Sequence, residues 1–302
     1  MSLAKRHAAP TGHADGTNKK QRAGEERGDG VDWGEDSDDD ELALLAADEV
    51  KETVDRLGGR LNYDILGTIR RLRLRFQATC PHFVSKTLIY DAMLRGPEGA
   101  AGPASTRSDT LTATDIDVGL LELKQKSVLM AIYVPLAGDE ALVETCEYRE
   151  LAQRALPTEC CVNNRLREAA RFFHDEIVGK HPGPTFHLPK RSASTDLLDA
   201  LVKHELLLRM PGGKHASGVD TFAFKLPGSG RVVSSMIAGR NELVARIKRK
   251  RHHEMLTSKV RKEVKLRKTV LPIEWHIADL VGSGLVHVVN TTVGPLLRLI
   301  DN

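Results

Sequence analysis

Between Arg246 and Lys268 the chain holds eleven Lys and Arg residues, at 246, 248, 249, 250, 251, 259, 261, 262, 265, 267 and 268, against two acids, Glu254 and Glu263. The whole chain carries a net charge of only +3. Concentrated cations of this kind suit a polyanion, because each neutralised phosphate releases a condensed counterion. With Val244 and Ile247 turned inward on a helix, Arg246, Arg249 and Lys250 share its outer face and can track a phosphate backbone. A merely solvated helix face normally mixes signs. The residues expected to touch DNA from this run are Arg246, Lys248, Arg249, Lys250, Arg251, Arg261, Lys262 and Lys265. A second group, Arg70, Arg71, Arg73 and Arg75, reads either as a DNA contact or as partners for nearby acids or an acidic protein. Without a row of exposed aromatics to stack unpaired bases, duplex is favoured over single strands, with duplex RNA as an alternative to DNA.

Other chemistries find little support. A protein kinase needs a strand Lys paired with a helix Glu, an HRD-type catalytic Asp and a DFG-type metal-binding Asp, and the sequence contains none of these motifs. Walker-A and nucleophile-elbow patterns are also missing. Gly228-Ser229-Gly230 reads as a turn, and adjacent His174 and Asp175 as solvated helix residues. Cys80, Cys146, Cys160 and Cys161 form no CxxC pair and are expected as reduced thiols. The twelve histidines show no metal-ligand rhythm with them, so neither metal nor other cofactor is expected. No stretch is apolar enough to cross a bilayer, and Met1 to Gly30 lacks the apolar centre of a signal peptide.

The elements that must present the basic residues follow from a repeat. A polar N-terminal stretch with the cluster Lys19, Lys20 and Arg22 leads through Ser37 into the acidic run Asp32, Glu35, Asp36, Asp38, Asp39, Asp40 and Glu41. Such a composition cannot offset its ordering entropy and reads as disordered, with one short helix added from Leu42 to Leu57. Beyond it, segments around Leu123, Leu201 and Leu280 share one pattern: an apolar residue three before the leucine and two more at five and six after it. The intervals, 78 and 79 residues, are nearly constant. Each reads as a helix that stops and turns into a strand, followed through a Gly-containing connection by a second strand at 141–143, 221–224 or 296–299. Those connections carry Gly138, Gly212 with Gly213, and Gly294. Amphipathic helices precede them along Ile65, Ile69, Leu72 and Phe76, then Leu166, Ala170, Phe173 and Ile177, then Val233, Ile237, Val244 and Ile247. The Gly, Pro and Ser-rich stretch between Arg95 and Thr112 reads as an inserted surface loop. The expected fold class is α+β, three tandem winged helices after a disordered tail: tail 1–56, then 57–156, 157–228 and 229–302.

Several C-terminal motifs carry a resemblance: Gly239-Arg240, Lys248-Arg249-Lys250-Arg251, His276-Ile277-Ala278-Asp279-Leu280-Val281-Gly282, and the run from Asn290 to Leu299. They look like those of the serine/threonine-protein kinase 19 family, with weaker similarity from Thr195 to Arg231 and at Pro81, Phe83, Val84 and Tyr90. The resemblance implies three winged helices, binding to double-stranded DNA and chromatin in the nucleus, and a non-enzymatic role in transcription-coupled nucleotide excision repair despite the kinase name. It also implies DNA contacts by the third winged helix, which by motif fall on Arg240, Lys248, Arg249 and Arg251. Ser234 and Glu263 depart from that pattern, standing where basic residues are expected. The expected partners are double-stranded DNA and transcription and repair proteins, with a homodimer compatible and no membrane. The alternatives are a protein scaffold using its basic face and an unconventional kinase.

Overall fold

Local chemistry accounts for most of the elements in the computed structural model, which describes residues 51–80, 82–95, 111–135, 140–156, 164–178, 180–189, 195–210 and 219–300. Lys19, Lys20, Arg22, Ser37, the acidic run, most of the 95–112 loop, Gly138, Gly212, Gly213, Cys160 and Cys161 lie outside these residues. After a helical segment over 51–57, the first unit comprises α1 (Arg60–Arg75), β1 (Val84–Ser85), α2 (Lys86–Arg95), α3 (Ala113–Gln125), β2 (Leu129–Tyr133) and β3 (Glu140–Glu144). Helix α4 (Thr145–Ala155) leads to α5 (Asn164–Phe172), a π-turn at Phe173–Ile177, β4 (Thr185–Pro189), α6 (Thr195–Lys203), β5 (Leu207–Arg209) and β6 (Val219–Phe224). The last unit is α7 (Gly230–Lys248), a 3-10 turn at Arg251–His253, β7 (Glu254–Leu256), α8 (Thr257–Glu263), α9 (Ile273–Gly282), β8 (Val286–Thr291) and β9 (Gly294–Leu299). The architecture is α+β, with three antiparallel sheets ordered β1-β3-β2, β4-β6-β5 and β7-β9-β8.

The repeat is written into the backbone. Leu123, Leu201 and Leu280 are each wholly buried. Four residues after each, Ser127, Glu205 and Gly284 adopt left-handed φ values of 55°, 60° and 70°. One residue further, the amides of Val128, Leu206 and Leu285 donate to the carbonyls of those leucines at 3.0, 3.0 and 3.1 Å. This is a Schellman stop, which satisfies the last helical carbonyls and turns the chain straight into a strand. Each hairpin closes alike, with Thr145, Lys225 and Ile300 donating to the carbonyls of Val128, Leu206 and Leu285.

The first two sheets share one continuous core, joined by Met236, Leu271 and Trp275 from the third unit, while the third also has its own cluster around Leu243, Ile247, Leu280 and Leu297. Buried Tyr148 on α4 ties the first unit to the second, donating to the carbonyls of Leu206 and Lys225. The first amphipathic stripe is buried as expected, and so are Phe173 and Ile177 of the second. On α7 the inward face is different: Met236, Gly239, Arg240, Leu243 and Ile247 are buried, while Val233, Ile237 and Val244 are half-buried. The cause is close helix packing. A Cβ on Gly239 would lie 2.1 Å from the His276 ring on α9, so the small residue faces inward and larger apolar residues flank it.

Helix α9 is held from two sides. Arg240 on α7 donates two hydrogen bonds to the buried carboxylate of Asp279, at 2.7 and 2.6 Å, and Thr87 of α2 donates to the same group at 2.7 Å. The first unit repeats this device in weaker form, with Asn62 on α1 donating to Glu122 on α3 at 2.7 Å. At Gly282 a Cβ would sit 1.7 Å from the Thr87 carbonyl oxygen, so α2 and α9 pack backbone to backbone. Nearby, His276 is fully buried with Thr269 Oγ1 at 3.0 Å from its Nε2.

Asp279→Ala takes from the buried Arg240 guanidinium the carboxylate that accepts two of its hydrogen bonds. The expected loss is about 3–5 kcal/mol, read as a lower urea midpoint; a loss below about 1 kcal/mol would show that the pair is solvated. Burial, aided by the Arg240 charge, brings the His276 pKa down to about 4, against 6.5 in the unfolded chain. The unfolded state therefore binds the proton first. This contribution to stability is full above pH 6.5 and is lost as the pH falls towards 4, by up to about 3 kcal/mol. Denaturation across this window should show the decline in wild type and a shallower one in His276→Gln; identical curves would remove His276 as the cause.

Candidate nucleic-acid interface

The basic run folds into a stripe rather than a helix face. Helix α7 stops at Lys248, Arg249 caps it, Lys250 is extended, and Arg251–His253 form the 3-10 turn. His252 and His253 take left-handed φ values of 61° and 53°, so the chain reverses sharply into β7. The expected common helical face of Arg246, Arg249 and Lys250 is therefore absent, because the last two lie beyond the helix. Lys248, Arg249, Lys250 and Arg251 are all exposed, and no carboxylate among the described residues pairs with them.

The segment after α8 runs back along α7 and adds to this stripe. Arg246 donates to Glu242 and to the Lys265 carbonyl, each at 2.9 Å. Glu242 accepts from the Arg267 amide at 3.0 Å, and Ser235 from the Val270 amide at 3.3 Å. The hydrogen bond from Arg246 holds the Glu242 carboxyl below its ordinary pKa, so it stays ionised as a clamp. Lys265, Arg267 and Lys268 are thereby exposed beside the C-terminal half of α7. Lys268 also lines an open groove of about 590 Å³ with Ser234, Ile237, Ala238, Asn241 and Glu242. Arg261 and Lys262 are exposed on α8. Of the two acids in the run, Glu254 is occupied by Arg298 across the β7–β9 pair.

Two expected contacts change role. Arg240 does not reach the surface, since its guanidinium is buried on Asp279; its charge was legible in the sequence, its distant partner was not. Arg246 is half-buried and positions the loop through Glu242 and Lys265. Conversely, Arg267 and Lys268 belong to the stripe, beyond the residues expected to touch DNA. Both are among the eleven cations of the run.

In the first unit, Arg70 and Arg73 pair with Glu144, and Arg73 also with Glu147. Those arginines fasten α1 to β3 and α4. The helices preceding the hairpins are acid-rich: Asp115, Asp117 and Glu122 against Lys124 on α3, Asp196 and Asp199 against Lys203 on α6, and Glu274 and Asp279 with no cation on α9. Helix α9 also has no exposed residue. Among the described residues no group of three His, Cys, Asp or Glu is placed to hold a metal, and no helix is long and apolar enough to cross a membrane. Cys80 and Cys146 are free thiols.

The model of a family described as inactive serine-threonine protein kinase 19 matches residues 108–299. Winged helix repair factor 1 of Xenopus laevis is 38% identical over 74 residues, 24% of this chain and 28% of that protein. The Homo sapiens protein of the same name is 34% identical over 77 residues, 24% and 29% respectively. That of Dictyostelium discoideum is 31% identical over 81 residues, 27% and 20%. The aligned stretch spans less than a third of each of these relatives.

Glu242→Ala removes the acceptor that holds the Arg267 amide. Hydrogen–deuterium exchange should quicken at 265–268 while the α7 core around Leu243 and Ile247 stays protected; unchanged exchange at Arg267 would show that the loop is held by other contacts.

Proposed function

The chain belongs to the family of inactive serine-threonine protein kinase 19, and on that premise we propose that it is a non-enzymatic nuclear protein of three tandem winged helices that binds double-stranded DNA and chromatin. Its role is that of an adaptor in transcription-coupled nucleotide excision repair. The relatives named for a winged helix and for repair support this reading, and so does the common strand order of the three sheets.

The observation that carries it is the stripe formed by Lys248, Arg249, Lys250 and Arg251 with Lys265, Arg267 and Lys268 alongside α7. From the level of Asn241 to Lys248 it extends about 10 Å at the helical rise per residue, on the order of three base-pair steps, and the turn beyond adds to it. Arg261 and Lys262 add contacts from α8. Acid-rich helices before the hairpins are unsuited to entering a major groove, so binding rests on phosphate contacts and is weakly dependent on sequence. Arg240 and Arg246 serve that surface from behind, the first by fixing α7 against α9 and the second by holding the loop.

Duplex binding measured against salt tests the reading. Lys248→Ala, Arg249→Ala and Arg251→Ala together should weaken affinity and reduce the slope of log K against log salt by roughly 0.9 for each lost phosphate contact. An unchanged slope in the folded variant would move the DNA site elsewhere. Absence of wild-type binding would favour a scaffold that uses the basic face for an acidic protein.

A further inference from the structure

The repeat places Val118, Leu121 and Gln125 of α3 at the positions held by Trp275, Ala278 and Gly282 of α9, counting from the buried Leu123 and Leu280. In the third unit that face is covered from within the chain. Trp275 joins the core of the first two units, Ala278 packs beside it, and Gly282 lies against the backbone of α2. In the first unit the same face is open: Val118 is 51% and Leu121 46% exposed, one turn apart. Residues 96–110, which precede α3, contain no Leu, Ile, Val, Met or aromatic side chain to cover it.

Charge narrows the kind of occupant. Asp115, Asp117 and Glu122 flank the apolar pair, while Lys124 is taken up by Glu140 at 2.9 Å. Part of the acidity is already neutralised, since Lys86 pairs with Asp117 at 2.6 Å. DNA is repelled by such a face. The occupant that α9 already takes, α2, is a ten-residue helix with an apolar middle and a basic residue at each end, Lys86 and Arg95.

We propose that the Val118–Leu121 face of α3 is a docking surface for an amphipathic helix of a partner protein, with an apolar stripe and Lys or Arg at its flanks. It binds in the manner of helix-in-groove recognition, repeating between molecules the contact that α2 makes with α9 within this one. Apolar contact supplies most of the affinity, and the acids set orientation and salt dependence.

The test uses the full chain and a fluorescein-labelled helical peptide with Leu at i, i+3, i+4 and i+7 and Lys at both ends, followed by anisotropy. Saturable binding is expected, at least tenfold weaker for Val118→Ser/Leu121→Ser and for a peptide with Glu in place of Lys. Because both substituted side chains are exposed, the variant should keep its melting temperature and its affinity for duplex DNA. Equal binding by wild type and variant, or none by wild type, overturns the proposal. So does a loss of DNA affinity in the variant, which would make the face a DNA contact, or a wild-type dimer that the variant dissociates, which would make the occupant a second copy.

Discussion

A charged pair taken out of water holds this molecule together. Asp279 has no access to solvent, and its carboxylate is tolerable there only because Arg240 meets it with two hydrogen bonds and Thr87 with a third. Those three residues come from α7, α9 and α2, so one carboxylate joins the third unit's helices to each other and to the first unit. The small residues follow from it. Gly239 admits the His276 ring and Gly282 admits the α2 backbone, and any side chain at either place would force apart helices that the pair draws together. With the middle of α7 clamped, its C-terminal end and the turn beyond are carried at the surface, where the cations gather.

The elements were legible where their cause is local. A helix that stops with a left-handed residue and re-emerges as a strand leaves a short-range trace, and Leu123, Leu201 and Leu280 could be read as equivalent before any sheet was seen. The face of α7 was not, because apolar periodicity gives weight to Val233 and Val244, whereas the fold gives it to Gly239 and Arg240, whose importance depends on residues some forty positions away. Arg240 shows the same limit from the electrostatic side. A guanidinium reads identically in sequence whether it meets a phosphate or a buried carboxylate, and only the three-dimensional partner distinguishes the two.

The family signature looks different in this light. Gly239, Arg240, His276, Asp279 and Gly282 carry much of the resemblance, and all five serve packing between helices. Lys248 to Arg251 belong to the same signature and lie on the outside. Motif residues thus divide into those that build the junction and those that the junction presents. The open face of α3 was missed for a related reason: apolar residues one turn apart usually signal core, and here only comparison of one repeat with another shows that this pair lacks its cover.

The contact between α2 and α9 skips over the second unit and joins the two ends of the repeat. Tandem arrays usually shorten and lengthen freely in evolution, because each member touches only its sequence neighbours. A chain ending near residue 228 would keep two sheets intact yet expose the α2 face that α9 covers, strand Thr87 without its carboxylate and open the shared core at Trp275. Loss of the third unit therefore damages the first, and the coupling runs across the repeat rather than only between sequence neighbours.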